Sequence, residues 1–216
     1  PPARLSVGYS GSTWTETAPE ELARQWGLEF QGRTFSDTAS SPFAQAIDTL
    51  AVYGLISGYE DGTFHPGEAI TRAEFSAMVA SALNLRRSDS APFSDVDPSA
   101  WYADAVNAMA AKGFLSGDGD GRFRPEDTIS YEEMVTVLSS VAAWATMEGR
   151  ELAEESLSAG DWGVYHDFSE WARIPARNLD RLGALAGSQQ PQEPGTRETA
   201  AGLLHALLEA AGLLWD

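Results

Sequence analysis

Arg72 lies inside the run Ile70-Thr71-Arg72-Ala73-Glu74-Phe75. The Thr-x-x-Glu spacing is a capping box, in which the hydroxyl accepts from the third helical amide and the glutamate reaches back to the cap amide. A guanidinium on the first turn of such a helix stands where unpaired amides and the macrodipole favour an anion, and it can grip a carboxylate with two parallel bonds. The same box recurs as Ser130-Tyr131-Glu132-Glu133, with tyrosine for arginine, and as Thr196-Arg197-Glu198-Thr199, which keeps the arginine and loses the second acid. Trp101 and Trp171 offer flat apolar faces of the kind that stack on sugar rings, and Phe43 holds the corresponding place with a smaller ring. Asp37, Asp95 and Asp167 can accept from hydroxyls. Plainer readings stand beside these: the aspartates can cap turns, and the aromatics can be packing core. Arg72 alone shows no structural need, so Arg72→Ala is expected to weaken ligand binding and leave stability nearly unchanged.

These residues recur because the chain is internally repeated. Residues 58–66 read GYEDGTFHP and residues 117–125 read GDGDGRFRP, at an offset of 59. Upstream, FSD at 35–37 returns at 93–95; downstream, ITRAEF at 70–75 aligns with ISYEEM at 129–134. A third, degraded copy carries Tyr165-His166-Asp167, Trp171-Ala172, Gly183 and Gly187, but replaces the Asp-Gly-x-Phe turn with SQQPQEPG before Thr196-Arg197-Glu198. Each unit starts a helix after Ser41-Pro42 or Asp97-Pro98. Apolar residues then recur at helical spacing (Phe43, Ile47, Leu50; Trp101, Ala105, Ala108, Met109) as far as Gly54 or Gly113, a left-handed stop. After the Asp-Gly turn, a second helix buries Phe75, Met78, Val79 and Leu83, or Met134, Val135, Leu138 and Val141.

One such unit exposes too much apolar surface to stand alone. The expected fold is therefore all-α: three helical hairpins packed as a pseudo-threefold trimer around a central helix bundle. The expected organisation is an N-terminal extension at 1–34 with one helix (Pro19 to about Leu28, capped by Thr17, Trp26 on its apolar side), repeats at 35–90 and 91–147, an acidic connector at 148–164 and a degenerate repeat at 165–216. Residues 35–216 are expected to act as one cooperative domain. The last helix carries enough leucine for bundle core, with Trp215 as its cap.

The chain has 216 residues and a formal charge of −18, from 32 acids against 14 bases. With no clustered basic surface, nucleic acid and anionic membrane faces are excluded as partners. No apolar run approaches the roughly 18–20 residues that span a bilayer, and the opening Pro1-Pro2-Ala3-Arg4 shows no signal peptide. Cysteine is absent, which removes disulfides, thiolate metal sites and thiol catalysis. His65, His166 and His205 lack ligand spacing. Asp118-Gly119-Asp120-Gly121 lacks the remaining acids of a calcium loop, and no catalytic constellation can be assembled. No enzyme activity, metal or cofactor is expected.

The repeated pattern resembles the S-layer homology family. Phe35, Asp37, Phe43-Ala44, Gly54, Gly58-Tyr59, Asp61-Gly62, Phe64, Pro66 and Ile70 to Phe75 carry the resemblance in the first copy. It implies an extracellular bacterial module at the cell wall or S-layer, binding a secondary cell-wall polysaccharide, often pyruvylated, in grooves between repeats. The residues it marks for ligand are Arg72, Asp37, Phe43, Gly58, Trp101, Asp95, Arg197, Trp171 and Asp167; the partners it implies are that polysaccharide and an S-layer or fused cargo domain. Tyr131 leaves the second copy without its cation, so at most two sites keep their charged residue. The alternative is a degenerate scaffold or assembly module without useful sugar affinity.

Overall fold

The computed structural model describes residues 7–10, 13–16, 35–187 and 189–214. Its helices are α1 (Ala44–Val52), α2 (Arg72–Ala82), α3 (Ala103–Ala111), α4 (Tyr131–Ala145), α5 (Met147–Glu154), α6 (Ala159–Val164), α7 (Arg173–Arg181) and α8 (Arg197–Ala210). A short antiparallel pair of strands, β1 (Val7–Ser10) and β2 (Thr13–Glu16), lies in the N-terminal extension and was not anticipated from the sequence. The helix expected from Pro19 to Leu28 and the terminal Trp215 fall outside the described residues.

Both capping boxes form. Thr71 and Ser130 accept from the amides of Glu74 and Glu133, whose carboxylates accept the cap amides in return. Thr196 opens α8 by accepting from the amide of Thr199. The first helices depart from expectation. Ser41 and Asp97 cap the amides of Phe43 and Ser99 in turns that precede the helices, and α1 and α3 begin behind Phe43 and Tyr102 without a side-chain cap. Proline directly after the cap (Pro42, Pro98) fixes that turn first, and the helix follows it. Gly54, Gly113 and Gly183 stop the first helices of the three units at φ of 68°, 76° and 69°.

The tight helix pairs run across repeat boundaries. α2 of the first repeat packs on α3 of the second, α4 of the second on α7 of the third, and α8 of the third returns to α1. Helical periodicity decides which face is apolar and says nothing about whose face covers it. α8 buries Leu203, Leu204, Leu207 and Leu208, each contributing about 1.5–3 kcal/mol when fully removed from water. That helix is core.

A ring of backbone hydrogen bonds marks the centre. The amide of Ile70 donates to Gly195 O (2.9 Å), that of Gly195 to Ile129 O (2.7 Å), and that of Ile129 to Ile70 O (3.1 Å). Ile70 and Ile129 bury their side chains there. At the third position a Cβ would stand 2.2 Å from Met134 Cε, so glycine is required for Met134 to fill the space.

The connector holds α5 and α6, and α5 packs on α4 and α7. Arg177, fully buried, donates to the carbonyls of Leu152, Glu155 and Ser156 at the C-terminal end of α5 and to Asn178 Oδ1. A cation at a helix C-terminus meets the negative end of the macrodipole, which accounts for a buried guanidinium among carbonyls.

Candidate functional site

Two grooves lie at equivalent places, and each draws on all three repeats. The first encloses about 370 Å3 between Arg72 of the first repeat, the Phe114–Asp118 loop and Glu133 of the second, and Trp171 of the third. The second encloses about 320 Å3 between Arg197 of the third repeat, the Leu55–Tyr59 loop and Glu74 of the first, and Trp101 of the second. These are small volumes for ligand sites, which run from roughly 300 to 1,000 Å3. Trp101 and Trp171 are 69% and 54% exposed, so each presents its ring to solvent at a groove wall.

The arginines have a structural task that the sequence did not reveal. Arg72 Nε donates to Phe123 O at 2.8 Å, Nη1 pairs with Glu133 Oε1 at 2.7 Å, and the guanidinium lies 4.9 Å from the centroid of the Phe123 ring. Arg197 repeats the strut one interface further round: Nε donates to Phe64 O at 2.8 Å, Nη2 to Ser57 O at 3.2 Å, and the guanidinium lies 4.7 Å from the centroid of the Phe64 ring. Each braces the Asp-Gly turn of the next repeat. The Arg72 side chain is 16% exposed and Arg197 as a residue is 9% exposed. A guanidinium has five N–H donors, so both keep donors beyond these contacts while lining a groove. The expectation that Arg72 lacks a structural need is corrected by this geometry.

The helix start is also less available to an anion than the sequence suggested. The Arg72 and Ala73 amides donate to the carbonyls of Asp127 and Pro125, and the capping box takes up the amides of Thr71 and Glu74. The same happens where the amides of Arg197 and Glu198 donate to Glu68 O and Pro66 O. Neighbouring repeats consume the orphan donors of the first turn. Recognition of an anion at either groove therefore rests on the guanidinium.

Asp37 and Asp95 hold the turns of their own repeats. Asp37 accepts from the amides of Phe64 and His65, both at 2.8 Å, and Asp95 from those of Phe123 and Arg124, both at 2.8 Å. Burial pushes both carboxyls up in pKa, but the paired amide bonds outweigh it and hold them below the usual carboxylate range. Gly58 packs where no side chain fits: a Cβ would stand 2.3 Å from both Phe35 Cε1 and Thr63 O. Asp167 is exposed, its carboxylate 3.1 Å from His166 Nε2.

The third equivalent place is filled. A Cβ on Gly202 would stand 2.3 Å from Phe43 Cδ1, so the Phe43 ring lies flush against α8. Tyr131, 2% exposed, donates its hydroxyl to Ala186 O at 3.0 Å and braces the third repeat as the arginines brace the others. Burial, with the Asp180 charge adding, pushes its phenol up to about 12, so it remains a neutral donor. Glu132, which stands where the first repeat has Ala73, was missed. Its buried carboxylate accepts from the amide and hydroxyl of Ser169 and from Gln192 Nε2, tying the altered third turn to α4. An acid replacing alanine at a core position of the repeat was the available signal.

Two equivalent grooves, each walled by a tryptophan, a glycine-bearing loop and a guanidinium with spare donors, set these helical repeats apart as a class. Residues 34–76 and 92–135 match the S-layer homology domain, and through these two repeats the chain belongs to the S-layer homology family. The third repeat lies outside that match; Gly195 in the hydrogen-bond ring and Arg197 in its strut tie it to the other two. Over 185 residues the chain is 32% identical to an amylopullulanase of Thermoanaerobacterium thermosulfurigenes, covering 83% of this chain and 10% of that protein. It is 27% identical to a surface-layer 125 kDa protein of Lysinibacillus sphaericus (76% of this chain, 14% of that protein). It is 28% identical to a cellulosome-anchoring protein of Acetivibrio thermocellus (69% and 35%). The chain thus spans between 10% and 35% of the length of these relatives. No helix among the described residues is long and apolar enough to cross a membrane.

Proposed function

We propose that residues 35–216 act as one three-repeat unit that anchors a larger surface protein non-covalently to the bacterial cell wall, by binding an acidic or pyruvylated secondary cell-wall polysaccharide. The supporting observation is the pairing of grooves. Arg72 with Trp171, and Arg197 with Trp101, meet beside the equivalent loop glycines Gly117 and Gly58. In this reading the free donors of each guanidinium take the sugar's carboxylate, the tryptophan stacks on its apolar face, and loop backbone positions both. Asp37, Asp95 and Gly58 act by shaping the loop; Phe43 closes the third place. The net charge of −18 repels a polyanion at long range, so attachment is short-range and directional. The relatives named for surface layers and cellulosome anchoring favour this setting, and the match to a small part of an amylopullulanase favours a binding role over catalysis.

The struts themselves favour a second reading, a scaffold in which both arginines serve only to join repeats. Sedimentation of the purified protein with wall sacculi, intact and stripped of polymer, separates the two. Anchoring requires co-sedimentation with intact sacculi only. Absence of the protein from both pellets leaves the scaffold.

A further inference from the structure

We propose that the Arg72 groove continues along α4 into a second subsite, formed by Trp144 and Lys112, that takes a further sugar unit of the same polysaccharide chain. This rests on the groove being a polysaccharide site. Glu133, Thr136 and Val137 of α4 line the groove. Trp144 follows Glu133 and Val137 on the same helical face at the i+4, i+7, i+11 spacing, about 16 Å of helix beyond Glu133 at 1.5 Å per residue. Phe114 joins the two regions: it lines the groove and meets Trp144 edge-on, with ring centroids 5.7 Å apart and planes at 70°.

Trp144 is 47% exposed although it packs in a T-shaped pair with Phe114, which restrains the indole and leaves its open part pre-oriented at small entropic cost. Lys112 Nζ lies 5.4 Å from the centroid of that ring. It is the only lysine of a chain with 32 acids, and its ammonium, lying over the indole, would pair with the carboxylate of an acidic sugar that contacts the exposed part of the ring. The second groove lacks both parts. At the repeat offset, Trp144 corresponds to Leu85 and Lys112 to Tyr53, which is buried. The extension therefore belongs to one groove only.

Calorimetry with isolated wall polysaccharide cut to one repeat unit and to several tests the proposal. The wild type should bind the longer fragment about 3- to 10-fold more tightly per site, the range one aromatic contact supplies. Trp144→Ala should lose that preference and keep its affinity for the single unit, and Trp144→Phe should recover part of it. Acetylation of Lys112, followed by mass spectrometry of the folded wild type, should slow with the longer fragment and not with the single unit. Equal wild-type affinity for both lengths, or an equal loss for both in Trp144→Ala, overturns the subsite and leaves the groove intact. No binding of either length by the wild type overturns the groove reading, and the subsite with it.

Discussion

Replacing Arg72 by alanine removes three contacts at once. The Nε bond to Phe123 O, made by a charged donor in a mostly buried place, contributes about 1.5–3 kcal/mol. The Glu133 pair, whose acid is 37% exposed, adds no more than about 1 kcal/mol, and the Phe123 ring about 0.5–1 kcal/mol. Because the three share one side chain they do not sum fully, and a loss of about 2–4 kcal/mol is expected. For a domain of this size that corresponds to a fall in Tm of roughly 4–16 °C. Thermal and urea denaturation of wild type, Arg72→Ala, Glu133→Gln and the double variant would isolate the ion pair, which should couple by less than about 1 kcal/mol. Arg197→Ala should fall by a similar amount with weaker salt dependence, since its hydrogen bonds run to carbonyls. An Arg72→Ala protein within about 0.5 kcal/mol of wild type would refute the strut and restore a purely ligand-directed arginine. Binding by either variant must be measured well below its own Tm.

Asp95→Asn should destabilise by about 0.5–1.5 kcal/mol, because an amide nitrogen would face one of the two N–H donors, part-buried at Phe123 and exposed at Arg124, that the carboxylate accepts from; an unchanged urea midpoint would contradict this. Asp37 and Asp95 have folded pKa values below their unfolded ones, so the unfolded chain binds more protons near pH 4. Their stabilisation is complete above the unfolded pKa and is lost as pH falls through the folded values. Denaturation midpoints measured from pH 6 down to pH 2 should drop less in the double Asn variant than in wild type. Gly202→Ala should cost about 1–3 kcal/mol by pushing a Cβ into the Phe43 ring, and Phe43→Ala in the same background should recover part of it. Removing residues 165–216 should abolish the cooperative melt of the remainder, since α1 loses its cover; a sharp transition in the truncated chain would count against interdependence.

The repeat, its caps and its glycine stops were legible because they follow from local rules: a hydroxyl three residues before an acid, apolar residues at helical spacing, and glycine where φ turns positive. The turn-capping reading of Asp37 and Asp95 was likewise within reach, as one of two. Periodicity could not tell that α2 seeks α3 instead of α1, since an apolar face names no partner. The role of Arg72 was hidden for the same reason. Its acceptor, Phe123 O, lies 51 residues away, and a backbone carbonyl carries no signature in the sequence. Phe43 read as a lesser tryptophan because only Gly202, a missing side chain on another helix, shows that its ring is tucked in.

The ring at Ile70, Ile129 and Gly195 fixes how many repeats the arrangement can hold. Open arrays of helical repeats have two end units, which need polar outer faces, and they grow by adding copies. Here each amide already has its acceptor and α8 already covers α1, so a fourth unit would find no vacant edge. The copies are consequently free to diverge in chemistry but not to be lost: Tyr131 can take over from arginine by reaching Ala186 O, whereas an absent link would leave two raw faces at once. A protein needing firmer attachment would have to carry a second complete cycle, joined by a tether whose length sets the effective concentration.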